Sequence, residues 1–222
     1  MRLTSAMRPP SSQAAPRPSA RRGGFTLIEL LAVIVILSIL AWFLVTNLGK
    51  TQEVAEVKMV EGDMVKLRAM LAEVDNTEGG YPPSRFADAL GAPPNATNLG
   101  AECLYLALCA EDAPGFGVLD ADLINSDGDS LAHTPKGLRT RELFELRDRW
   151  DNPIAYFHNQ DYGREDVYVT VSNATGLSTE TVVKAYKNPK TANWFEPRSF
   201  QLISAGADGE FGTEDDITSF KR

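Results

Sequence analysis

The sequence predicts an α+β protein: one long N-terminal helix packed on a small antiparallel β-sheet, with extra loops and short helices. Three observations predict it. Residues 25–45 form an almost unbroken apolar run, and residues 54–74 carry apolar side chains at steps of three and four. Later segments, at 148–157, 166–173 and 200–209, read as short strands closed by turn residues. The chain has 222 residues, 43% apolar and 23% charged, which is ordinary for one modest globular domain. That average hides three unlike pieces.

Residues 1–24 hold five arginines (Arg2, Arg8, Arg17, Arg21, Arg22), four prolines and no acid, a composition that cannot bury a core. Losing those five charges moves the formal net charge from −8 to −13. An acidic exterior without Lys/Arg patches argues against nucleic acid as a partner. From Phe25 to Val45 the polar residues are Thr26, Glu29 and Ser38. As a helix this run spans about 31 Å, enough for the hydrocarbon core. The preceding arginines keep the N-terminus cytoplasmic and send everything after Asn47 outside. A secretory signal would be cut after the apolar run, but ILAWFLVTNLG offers no small-residue site. Arg21-Arg22 suggests a twin-arginine signal, which Gly23-Gly24 spoils. An uncleaved anchor leaves Glu29 unexplained, because an acid at membrane depth is expensive unless paired.

GGFTLIELLAVIVILSIL resembles the type IV prepilin signature. The resemblance implies cleavage by a prepilin peptidase between Gly24 and Phe25, after a basic leader at 1–24, with Met1 and Met7 both open as starts. It implies N-methylation of Phe25 and places Glu29 at the family's characteristic fifth mature position. There its carboxylate would pair with the α-amine of Phe25 on an adjacent subunit and set the axial register of assembly. The bland alternative is a carboxylate that snorkels to the cytoplasmic interface.

The helix is expected to continue past a membrane-spanning and assembly segment at 25–48 into a periplasmic domain at 49–222. Val54, Val57, Val60, Met64, Leu67, Leu71 and Val74 form one apolar stripe, with charged residues on other faces. Gly49 and Gly62 weaken the helix by roughly 1 kcal/mol each relative to Ala, so bends are expected there. Asn76 and Gly79-Gly80-Tyr81-Pro82-Pro83 end it. YPPSRFADAL (81–90) resembles the tyrosine-proline turn and short helix of major pseudopilins of type II secretion. A less regular region, 91–148, follows. It carries CLYLALC on a short apolar helix, and RTRELFEL (139–146) is expected to form another. Cys103 and Cys109 stand open between a disulfide and two thiols, since the spacing fixes neither distance nor direction. DRWDNPIAYF (148–157) resembles the family's Asp-x-Trp-Gly-x-Pro turn into its first strand, with Asp151 where that family has glycine. Residues 174–198 read as an insertion rich in turn and polar residues, and the sheet and acidic loop occupy the rest of 148–222.

SAGADGEFGTEDDITSF (204–220) crowds Asp208, Glu210, Glu214, Asp215 and Asp216 around three glycines. Such packing is repulsive unless water or a cation screens it. A hard cation such as Ca²⁺ takes six to eight oxygens. The stretch resembles the calcium loop of the major pseudopilin, which implies structural Ca²⁺ held by Asp208, Asp215 and Asp216, with backbone carbonyls near Leu202 and Ala205. Asn125, Asp127 and Asp129 begin like an EF-hand loop, but Ser130 and Lys136 stand where its glycine and glutamate belong. They are expected to form a turn.

The chain is therefore identified as a member of the type IV pilin-like superfamily, in its pseudopilin G branch. Membership implies a type IV pilin-like fold and a structural subunit of a periplasmic pseudopilus that drives type II secretion. The implied partners are identical subunits, minor pseudopilins, prepilin peptidase and an inner-membrane assembly platform. The subunit would be single-pass in the bacterial inner membrane before assembly. The alternative is a type IV pilin or minor pseudopilin. An anchored enzyme is not expected: the two histidines, His133 and His158, sit in no nucleophile or metal spacing.

Overall fold

The structure, a computed structural model, describes residues 24–86, 93–110, 123–173 and 175–221, with backbone alone at 45–51. The leader expected at 1–24 lies outside these residues apart from Gly24. So do 87–92, where the short helix after Pro83 is expected. The chain divides into two units, Met1–Asn47 and Leu48–Arg222.

Helix α1 (Leu27–Glu78) begins in the first unit. Every residue described from Gly24 to Leu44 is exposed. The stretch Leu27–Leu44 has mean hydropathy 2.8 and is long and apolar enough to cross a membrane. Ser38 does not interrupt it, because its hydroxyl donates to the Ile34 carbonyl at 2.7 Å.

In the second unit, the stripe on α1 begins later than the sequence spacing predicts. Val60, Met64, Leu67, Leu71 and Val74 are buried, Val57 is partly so, and Val54 is 62% exposed. The helix stays regular at Gly62, where an added Cβ would meet open space. It ends at Gly79, whose φ of 79° and N–H bond to the Asp75 carbonyl (2.9 Å) form a glycine stop.

The stripe lies on an antiparallel sheet of β3 (Ala155–His158), β6 (Phe200–Ser204) and β7 (Ile217–Thr218), in the order β3-β6-β7. Strand alternation separates two cores. Tyr156, Phe200 and Leu202 join the α1 stripe and Leu104 and Leu108 of α2 (Leu99–Leu108). Ala155, Phe157 and Ile203 join Ala101, Tyr168 and Val183. This helix-on-sheet arrangement matches a type IV pilin-like architecture. The turn into β3 also works as the motif implies. Asp148 accepts from the Trp150 and Asn152 amides at 2.9 and 3.0 Å and from the Ser204 hydroxyl at 2.7 Å. Asp151 takes the glycine-like φ of 60°, which a short polar side chain tolerates.

Two expectations are corrected. Residues 139–146 are not helical. Leu131 N–H bonds the Arg141 carbonyl, and β2 (Glu145–Leu146) pairs antiparallel with β1 (Leu123–Ile124). Burying Leu143, Glu145 and Leu146 overrides the local helix preference. The supposed insertion contains β5 (Ser178–Lys184), which forms a hairpin with β4 (Glu165–Val171). Its Thr and Val residues suit a strand, but the polar and turn residues around them made 174–198 read as an insertion. Gln201, buried in β6, then ties down the following segment. It accepts from Tyr186 N–H (2.6 Å) and donates to the Tyr186 and Phe195 carbonyls (3.0 and 2.8 Å).

Candidate functional site

The N-terminal candidates lie together where α1 starts. Thr26 caps the helix: its hydroxyl accepts from Glu29 N–H at 3.3 Å. Glu29 answers, its Oε2 accepting from the Thr26 amide at 2.7 Å and the Thr26 hydroxyl at 2.8 Å. This reciprocal pair is a capping box, legible in Thr-Leu-Ile-Glu and missed by the sequence reading. It holds the carboxylate one turn from Phe25, at the positive end of the helix dipole. Gly24 and Phe25 precede the helix in exposed, non-helical backbone, open to another protein.

The C-terminal loop turns on Gly206, Gly209 and Gly212, all at positive φ. A Cβ on Gly206 would lie 2.5 Å from the Asp215 carbonyl and 2.7 Å from its Oδ2, so the loop closes on itself. Three of its carboxylates accept hydrogen bonds, although Asp216 Oδ1 is buried without one. Asp208 Oδ1 accepts from Glu210 N–H (2.8 Å), and Asp215 Oδ2 accepts from Asp208 N–H (3.0 Å). Asp216 Oδ2 accepts from Gly212 N–H (2.9 Å) and from the Tyr186 hydroxyl. The Leu202 carbonyl accepts from Ser219 N–H at 3.0 Å, and Ala205 is buried beside the loop. Partial burial pulls the Asp215 pKa up, but hydrogen bonds from Thr213 and Asp208 outweigh it and hold it below the usual carboxylate range.

Cys103 and Cys109 are thiols and not a disulfide. Six helical steps put their Cα atoms about 9 Å apart along the axis and on different faces, too far for a bridge. Burial pushes the Cys103 thiol up to about 12, which makes it unreactive. His133 is exposed, and His158 Nδ1 accepts from Gln160 N–H at 3.3 Å in a turn.

Among the described residues, the group of three carboxylates whose oxygens all lie within 4.8 Å of one another is not in the loop. It consists of Glu102, Asp127 and Glu145. Asn125 does organise a turn, its Oδ1 accepting from the Gly128 and Asp129 amides at 2.7 and 3.1 Å. What the sequence reading missed are the distant partners, Glu102 and Glu145. The available signal was an acid inside an apolar run, in GAECLYLAL and again in ELFEL.

The profile described as "Prokaryotic N-terminal methylation motif" matches residues 19–45. Type II secretion system core protein G of Escherichia coli strain K12 is 26% identical over 204 residues, 92% of this chain and 94% of that protein. The protein of the same name from Klebsiella pneumoniae is 38% identical over 85 residues, 35% of this chain and 59% of that protein. No solved structure matches. Motif and relatives together link the chain, at the level of family, to the pseudopilin G group of type II secretion and to the wider type IV pilin-like superfamily.

Proposed function

We propose that the chain is a structural subunit of a periplasmic pseudopilus that drives type II protein secretion. It carries no catalytic role of its own. A prepilin peptidase cuts between Gly24 and Phe25, Phe25 is N-methylated, and the subunit waits in the inner membrane with its C-terminal domain in the periplasm. Identical subunits then assemble, with minor pseudopilins, on an inner-membrane platform. The observation that carries this reading is Gly-Phe-Thr-Leu-Ile-Glu at the head of an apolar helical stretch, Leu27–Leu44, that is exposed throughout. Apolar surface of that extent needs lipid first and neighbouring copies afterwards. The capping box presents Glu29 near the chain end that cleavage creates, where a neighbour's α-amine would complete its pairing.

The test is the mass and N-terminal residue of the membrane-extracted chain, with and without a co-expressed prepilin peptidase. The expected result is an N-methylated Phe25 start that depends on the peptidase. An intact leader in its presence would remove the reading. Glu29→Ala should be inserted and cleaved yet fail to form fibres; normal fibres would refute the docking role.

A structural Ca²⁺ in the C-terminal loop belongs to the same proposal. The fit rests on donor chemistry: Asp208, Asp215 and Asp216 offer oxygens alone, in a loop where Gly206 lets the backbone close tightly on Asp215. Bound there, the ion would supply charge neutralisation and tie the loop to β6. Asp208→Ala should lower the melting temperature in calcium; an unchanged curve would sink this part.

A further inference from the structure

We propose that Glu102, Asp127 and Glu145 form a second, separate site for a hard divalent cation of calcium size. The inference rests on this cluster alone and does not depend on the assembly role or on the C-terminal loop.

Three elements converge to make it. Glu102 lies in the first turn of α2, Asp127 in the turn after β1, and Glu145 in β2. One oxygen from each lies within 4.8 Å of the others. Glu145 and Glu102 are wholly buried, whereas Asp127 is half-buried and gives the cluster a solvent side. The second observation is Glu102 itself. Both of its carboxylate oxygens are buried and have no hydrogen-bond partner. Buried polar atoms are nearly always paired, so an orphaned carboxylate beside two others calls for a proton or a cation. None of the ion pairs among the described residues reaches these acids.

The neighbouring groups orient the ligands without neutralising them. Glu145 Oε1 accepts from Asn98 Nδ2 and its Oε2 from Ser126 N–H, both at 3.0 Å. Asn95 Nδ2 donates to Asp127 Oδ2 at 2.8 Å and to Asp129 Oδ2 at 3.0 Å. Asp129, whose buried Oδ1 is also unpartnered, adds a fourth negative charge at the edge. A single proton shared between Glu102 and Asp129 would leave the other two acids uncompensated. One divalent cation meets three carboxylates at once. The donors are all oxygens, which selects a hard ion, and carboxylates drawn from a helix, a turn and a strand suit the tolerant coordination of Ca²⁺ better than the octahedron Mg²⁺ demands. The ion would cross-link α2, the 125–130 turn and β2, three elements otherwise joined by short pairings.

The test uses the full chain in detergent, stripped with chelator, with bound Ca²⁺ counted by equilibrium dialysis. Asp215→Asn serves as background, so that the loop cannot supply the signal. That variant should still bind one Ca²⁺ and should melt about 5–10 °C higher at a calcium concentration about 100 times the dissociation constant. Adding Glu102→Gln should abolish both the bound ion and the calcium response. In chelator the melting temperature should be unchanged or higher, because a neutral amide replaces a buried charge. If that double variant does not fold, Asp127→Asn on the solvent side takes its place with the same expectation. No ion bound in the Asp215→Asn background overturns the proposal and assigns any parental binding to the loop. Retention of the ion after Glu102→Gln, or after Asp127→Asn where that stands in, also overturns it.

Discussion

The acidic loop at 204–220 and the buried cluster on α2 and β2 contain the same residue types with opposite fates. In the loop, backbone amides and hydroxyls reach the carboxylates, and Asp215 is held below its ordinary pKa. In the cluster, burial first, and then Asp129, Asp127 and Glu145, push Glu102 up to about 9. Burial likewise raises Glu145 to about 8, against the lowering pull of Ser126 and Asn98. Density of acids along the chain therefore says little about electrostatic strain. What decides it is how deeply the fold buries each carboxylate, set against the donors it aims at it.

The largest break in this comparison should come from Gly100→Ala. A Cβ there would collide with the Tyr156 carbonyl and stand 2.8 Å from the Tyr168 hydroxyl, so α2 must move. The loss should be about 3 kcal/mol, read as a melting point lower by about 6–12 °C, with the calcium response of the cluster gone. A melting curve like the parent's would show that α2 is not locked against β3. Gly206→Ala should strike the other side, at about 2 kcal/mol, through positive φ and the Asp215 contacts. Calcium counted at the cluster should survive that change, and its loss would mean that the two regions are coupled. Tyr186→Phe removes a donor to Asp216 and should lower stability by about 1.5 kcal/mol, measured by denaturant titration. A neutral result would show that Gly212 N–H suffices for Asp216 Oδ2. The smallest effect should be a gain. Asp129→Asn removes a like charge beside Glu102 and should stabilise the chelated protein by about 1 kcal/mol. A loss instead would mean that Asn95 needs a charged acceptor at this position.

Much of the architecture was legible because its signals are local or periodic. The apolar run, the stripe from Val57 to Val74, the glycine stop at Gly79 and the Asp148 turn depend on residues close in sequence. So does the Thr26–Glu29 capping box, although spacing alone had to be noticed. The strand at 178–184 and the extended course of 139–146 were not legible in the same way. Their conformation follows from pairing with β4 and β1 and from burying Leu143 and Leu146, interactions that no local window contains.

By itself, then, the sequence determined where the helix begins and ends, which half of it is apolar throughout, and that Glu29 sits one turn into it. Those properties depend on helical periodicity and capping, which act over a few residues. Only the tertiary structure decided that Glu102, Asp127 and Glu145, scattered over 44 positions, meet in one buried place. It also decided that Asp215 and Asp216 of the C-terminal loop take hydrogen bonds from the backbone amides of Asp208 and Gly212 and from the hydroxyls of Thr213 and Tyr186. Burial and donor supply are set by chain segments that are distant in sequence, and a charge acquires its energy from them.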